Sequence, residues 1–336
     1  MTDVPLVPVP PADVPPADVA PADVPLPGRV PPAPVPHVHV PLITPFDADD
    51  RVAVGPLEEL ARAVLRDGAA GIVALGTTGE PGGLDEAERA VVVEAVGRVC
   101  REQGARFTLG AGRGSTRQAA AELAALADLP VVPDAALVTV PPFTRPGESG
   151  VLAHFTALAA ASPVPLIVYH VPYRTGQPLT ARAIAELAGL PGVVGVKYAP
   201  GGIDAEAVAL LGAAHGAGDP ARALPAGFEV LSGDDVFAPA LLALGAAGGI
   251  LASAHLATAR WVELAAGRTG GTPADPGLGH RLAALAAAVF REPNPAVVKA
   301  VLHAQGRIPT PDVRLPLQPA SAEALAGALA GLRRVG

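Results

Sequence analysis

Three features of this 336-residue sequence predict an α/β fold, and within that class a (β/α)8 TIM barrel with a C-terminal helical extension. From about His39 onward, eight short apolar runs alternate with longer stretches of helical period. The runs are continuously apolar rather than alternating, as parallel strands covered on both faces must be. Eight such units in about 220 residues also match the roughly thirty residues that a β/α unit needs. An open, doubly wound sheet is the alternative. It would place a glycine-rich phosphate turn after its first strand, where this chain has Thr44-Pro45-Phe46-Asp47.

Along the chain, residues 1–36 come first. They hold 13 prolines and repeat Ala-Asp-Val from Ala12, Ala17 and Ala22, so neither helix nor ladder can propagate, and a disordered or polyproline-like tail is expected. The tail lacks the basic start and continuous apolar stretch of a secretory signal. The barrel is assigned to residues 37–267. Its strands are expected at 40–43, 71–75, 107–110, 137–140, 166–169, 193–197, 229–231 and 249–251. Helices lie between them, for example at 85–101 and 116–127. Residues 236–259 carry no Asp, Glu, Lys or Arg, but Pro239, the glycines between Gly245 and Gly249, and His255 divide them into a short helix and a short strand rather than a membrane span. Residues 268–336 hold about three helical stretches with no strand between them, and form the extension.

Half the residues are hydrophobic and 3% are aromatic, so Ala, Val and Leu must supply most of the core. The formal charge is −8 and no basic stripe alternates with aromatics, which argues against nucleic acid as a partner. One cysteine, Cys100, allows no intrachain disulfide, and a cytoplasmic setting is the expectation. The eight histidines suggest no metal site. His37 and His39 share one side of a strand, but no acidic or cysteine partner lies near them in sequence, so packing or exposure is expected for both.

In a barrel, chemistry sits at the carboxyl ends of strands. The sixth expected strand ends on Lys197, and the chain has only two lysines against twenty-two arginines. Apolar surroundings lower an amine's pKa, and a free amine can attack a carbonyl where a guanidinium cannot. A lysine snorkelling to water is the bland reading. The other lysine, Lys299, lies in an expected helix, where packing or a salt bridge accounts for it. Thr77 and Thr78 stand between glycines after strand two, in a turn whose N–H groups and hydroxyls can converge on a carboxylate or merely close a loop. Tyr169 ends strand five, as a proton relay to strand six or as a core tyrosine. Arg174 follows a proline turn, to clamp an acidic substrate or to bridge to a surface carboxylate.

Taken together, Gly76-Thr77-Thr78-Gly79-Glu80, the segment from Tyr169 to Gly176 and Gly195-Val196-Lys197 resemble the dihydrodipicolinate synthase / N-acetylneuraminate lyase family. Gly110-Ala111-Gly112, Ser232-Gly233-Asp234-Asp235, Gly248-Gly249-Ile250 and Asn294-Pro295 extend the likeness from about Val40 to Leu332. The resemblance implies a homo-oligomer, usually a tetramer, with no metal or organic cofactor. It also implies a shared first step. Lys197 would condense with pyruvate or another 2-keto acid, Thr77 and Thr78 would hold its carboxylate, and Tyr169 would move protons. Gly233 and Ile250 would line the substrate site.

The resemblance further assigns Arg174 to the carboxylate of a second substrate, aspartate semialdehyde, and so favours the dihydrodipicolinate synthase branch. That branch carries a Tyr-Tyr pair after strand four, where this chain reads Pro141-Pro142-Phe143-Thr144-Arg145-Pro146, with no phenol to complete a three-member relay through Thr77 and Tyr169. His170 and His255 stand where asparagine is usual, and Pro81-Gly82 departs at a place that bears on feedback by lysine. Two alternatives stay open: an aldolase or dehydratase for a 2-keto-3-deoxy sugar acid or N-acetylneuraminate-type substrate, and a non-catalytic metabolite-binding barrel.

Overall fold

The computed structural model describes residues 37–112, 114–217, 223–267 and 275–336. The expected tail at 1–36 lies outside them. Eight parallel strands close in chain order: β1 His37–Pro41, β2 Gly71–Ala74, β3 Arg106–Ala111, β4 Ala135–Thr139, β5 Leu166–His170, β6 Val193–Tyr198, β7 Glu229–Ser232 and β8 Gly248–Ile250. Each overlaps its predicted run. The largest difference is β1, which begins three residues earlier than expected because His37, Val38 and His39 pair with Gly248, Gly249 and Ile250. Barrel closure, a contact between the two ends of the fold, recruits them. A Cβ at Gly248 would stand 2.0 Å from the His37 carbonyl oxygen, so that seam closes only over a glycine.

Helices α1 (Val54–Arg66), α2 (Glu86–Gln103), α3 (Thr116–Ala124) and α4 (Gly147–Ala161) cover the first half of the barrel. They are followed by the single turn α5 (Pro172–Thr175), then α6 (Ala181–Ala188), α7 (Ala205–Ala214), α8 (Ala238–Ala243) and α9 (Ala254–Ala266). The expected start at residue 85 is a capping box: the Asp85 carboxylate accepts from the Glu88 N–H while the Glu88 carboxylate accepts from the Asp85 N–H. Residues 236–259 break into α8, β8 and the start of α9. No helix among the described residues is long and apolar enough to cross a membrane. The C-terminal extension contributes α10 (Leu278–Val289), α11 (Ala296–Ala304) and α12 (Ala322–Val335).

Side-chain alternation sorts the strands into two cores. Val196 and Tyr198 of β6 join the layer between strands and helices, whereas Tyr169, Leu231 and Ile250 join a separate cluster in the barrel lumen. At the amino-terminal end of the lumen, packing rather than exposure accounts for both strand histidines. His37 and His39 are both buried, and an acidic partner does exist: Glu229 of β7 places Oε2 3.4 Å from Nε2 of His37 and also accepts from Arg106 at 3.2 Å. These groups come from β1, β3 and β7, so their meeting depends on closure rather than on local sequence.

His255, one of the two histidines at positions where asparagine was expected, ties β8 back to the loop after β1. Its Nε2 accepts from the Ile43 N–H at 3.1 Å while Nδ1 lies 2.8 Å from the Ala252 carbonyl. Accepting at one nitrogen and donating from the other requires the neutral ring, and burial holds its pKa down at about 4.

Candidate active site

The carboxyl ends of β2, β5, β6, β7 and β8 converge on Lys197. Its strand partners in register are Tyr169 on β5 and Leu231 on β7, both members of the lumen cluster, so the lysine points inward and is 6% exposed. Its Nζ lies 4.3 Å from the centroid of the Tyr169 ring. Burial lowers the amine from its ordinary range to about 8, against the opposing charges of Asp235, Tyr173 and Asp234; Arg174 adds to the lowering. An appreciable fraction of such an amine is uncharged near neutral pH, which is what addition to a carbonyl requires. The snorkelling alternative for Lys197 is thereby set aside.

Tyr169 is buried, and burial pushes its phenol up to about 12 against the lowering influence of nearby Arg174 and Thr77. A phenol in that state stays protonated and can donate. Thr77 and Thr78 occupy a short 3-10 turn, Thr77–Gly79. Non-glycine residues with left-handed backbone flank the turn, Leu75 with φ 52° and Glu80 with φ 52°. Such conformations cost of order 1–3 kcal/mol each and persist where surrounding contacts fix them. Here Thr44 donates from Oγ1 to the Gly79 carbonyl at 2.8 Å, and the Arg314 N–H donates to the Glu80 carboxylate at 2.9 Å.

Gly233, in the loop after β7, owes its identity to the lysine. A Cβ there would come within 2.8 Å of Lys197 Cγ and 2.9 Å of the Ala199 methyl, so the lysine chain runs across bare backbone. Ile250 is buried in the lumen cluster beside Tyr169 and Leu231. Arg174 sits on α5 at the exposed rim, where its charge is felt by both Tyr169 and Lys197. The neighbouring Tyr173 is 59% exposed and has its phenol pushed up, first by burial of part of the ring and then by Tyr169. The loop after β4 exposes Phe143, 88% accessible, on a left-handed backbone with φ 68°.

Sequence reasoning did not single out three residues behind the lysine. Asp235 is 2% exposed, and its Oδ2 accepts from both the N–H and the Oγ of Ser253 at 2.6 Å; that Oγ accepts from the Trp261 indole at 3.1 Å. Burial pushes the Asp235 carboxyl up to about 6, against these bonds and the Lys197 charge. The Ser-Gly-Asp-Asp motif marked the position, but nothing local said which aspartate would turn inward. A fourth missed contact, from Asn294 to Thr78, is taken up below.

As arranged, these groups provide a buried amine, a protonated phenol near a threonine, a turn bearing two hydroxyls and a guanidinium at the rim. Residues 35–330 match the dihydrodipicolinate synthetase family. The 4-hydroxy-tetrahydrodipicolinate synthase of Synechococcus elongatus is 36% identical over 285 residues, covering 84% of this chain and 90% of that protein. Among solved structures, dihydrodipicolinate synthase from Thermotoga maritima superposes with a TM-score of 0.81 at 28% identity, over 90% of this chain and 98% of the other. The chloride-inhibited enzyme from Acinetobacter baumannii, complexed with pyruvate, gives 0.79 at 32% identity, over 90% and 99%.

Proposed function

The chain belongs to the dihydrodipicolinate synthetase family, and we propose that it condenses pyruvate with aspartate semialdehyde, as a 4-hydroxy-tetrahydrodipicolinate synthase does, through a Schiff base on Lys197. The observation that carries this reading is the inward-facing Lys197 amine over the Tyr169 ring, 4.3 Å from its centroid. The uncharged amine adds to the keto carbon of pyruvate, and loss of water leaves an iminium. The iminium withdraws electrons from the methyl carbon, which sheds a proton to become an enamine. The enamine then attacks the aldehyde and forms the carbon–carbon bond. Tyr169, with Thr77 behind it, supplies and recovers the protons that the departing water and the new hydroxyl need. Thr77 and Thr78 hold the pyruvate carboxylate, and Arg174 at the rim meets the carboxylate of the aldehyde. Gly233 leaves room for the lysine, and Ile250 lines the floor.

Under this reading the enzyme works in the cytoplasm, in lysine biosynthesis, and as a homo-oligomer, tetramer or dimer. The exposed Phe143 at the rim supports an interface there, because an 88% accessible phenyl ring is a surface that association would cover. Phe143 also favours a second reading, an aldolase acting on a 2-keto-3-deoxy sugar acid, since the ring brings no hydroxyl to a relay. Borohydride reduction in the presence of pyruvate tests the common step, with a mass increase confined to Lys197 as the expected result. An unmodified lysine would leave only a non-catalytic barrel. Product formation from pyruvate and aspartate semialdehyde, against pyruvate release from sugar acids, then separates the two enzymes.

A further inference from the structure

The C-terminal extension reaches the candidate site through one residue. Asn294, in the turn between α10 and α11, donates from its amide Nδ2 to Oγ1 of Thr78 at 2.8 Å. The Oδ1 of the same amide is buried and finds no hydrogen-bond partner among the described residues.

The turn that carries Thr78 is gripped from the same side. Lys299 of α11 lies 2.5 Å from the Glu80 carboxylate, with side-chain exposures of 0% and 2%, and it also donates to the Asp312 carbonyl at 2.7 Å. Glu80 is two residues beyond Thr78, and its second oxygen accepts from the Arg314 N–H. Helix α11 and the segment after it therefore fix the turn, while Asn294 fixes one hydroxyl on it.

A threonine hydroxyl has one proton to donate and two lone pairs that accept. The Asn294 amide occupies a lone pair of Thr78, so the hydroxyl proton is not spent on that partner and remains available to an anion. We propose that Asn294 is a positioning residue of the carboxylate subsite: from the C-terminal extension, it holds Thr78 as an acceptor so that Thr78 donates to the carboxylate of the bound 2-keto acid. This rests on the reading of Thr77 and Thr78 as the carboxylate cradle.

The test is the borohydride trap itself, run over a range of pyruvate concentrations and followed by intact mass, which needs no second substrate. Half-saturation reports pyruvate binding, and the plateau rate reports chemistry at Lys197. Asn294→Asp keeps the shape but replaces the donor with an acceptor that draws the Thr78 proton to itself and places a negative charge beside the cradle. Its half-saturating pyruvate should rise about 100-fold, and that of Asn294→Ala about 10-fold, with the plateau rate within about twofold of the parent. Added to Thr78→Val, Asn294→Ala should bring much less than its own factor, because the two act as a unit and the alanine adds no charge of its own. Thermal melting confirms folding of each variant, and Asn294→Ala carries the test if Asn294→Asp does not fold. If Thr78→Val raises half-saturation while neither Asn294 variant does, or if the two factors multiply, the role of Asn294 is refuted and the cradle stands. If Thr78→Val leaves half-saturation unchanged, the cradle reading falls and this proposal with it.

Discussion

The Nζ of Lys197 lies 4.3 Å from the centroid of the Tyr169 ring, and the two residues are register partners on adjacent strands. The register therefore anchors the phenol beside whatever forms on the amine, because it fixes the two Cα positions as neighbours. Buried strands hold that register firmly.

The pair predicts a pH profile. With the amine at about 8, the rate of borohydride-trapped adduct formation at low pyruvate should climb about tenfold per pH unit below that value and level off above it. Tyr169→Phe keeps the ring under the amine but removes the proton donor. The chemical step should slow by about 10²- to 10⁴-fold with the pyruvate constant little changed, as measured in single-turnover kinetics.

Gly233→Ala tests the space beneath the lysine. The added methyl would lie 2.8 Å from Lys197 Cγ, so either the lysine or the loop must move. A displacement near 1 Å at a reacting group costs about 100-fold in rate. We expect a loss of that order in trapping rate with a melting temperature close to that of the parent; an unaffected rate would show that the lysine does not need this path.

Arg174→Ala should separate the two substrates. A hydrogen bond to a charged group contributes about 1.5–3 kcal/mol, so KM for the aldehyde should rise roughly 10- to 150-fold while the pyruvate adduct on Lys197 forms as before. Steady-state kinetics with each substrate varied in turn reads the split, and unchanged aldehyde kinetics would remove Arg174 from the site.

Acid sensitivity should trace in part to the amino-terminal end of the lumen. Burial and the neighbouring His37 hold His39 down at about 3, against 6.5 when unfolded. The unfolded chain therefore binds more protons between those values. The stability that neutral His39 provides is complete above about pH 6.5 and is lost as pH falls toward 3. Glu229, which burial disfavours as an anion but His37 and Arg106 hold at about 2, extends the loss below 4.5. Urea unfolding across pH 3–7 should show a shallower decline for His39→Phe than for the parent; equal slopes would assign the sensitivity to other groups, such as His170 and His255.

The strand order and the place of Lys197, Tyr169 and the Thr77-Thr78 turn at strand ends were legible in the sequence. Apolar runs and helical periods are local, and a barrel strings its units in chain order, so local signals add up to topology. The rarity of lysine in an arginine-rich chain made Lys197 conspicuous as well. What the tertiary structure alone decided are contacts between residues far apart in sequence: Asp235 on Ser253, Glu229 on His37, and Asn294 on Thr78. None of these has a periodic or neighbouring signal, because each exists only after the sheet has closed and the C-terminal helices have docked. Only then does burial set the charge states on which the chemistry depends.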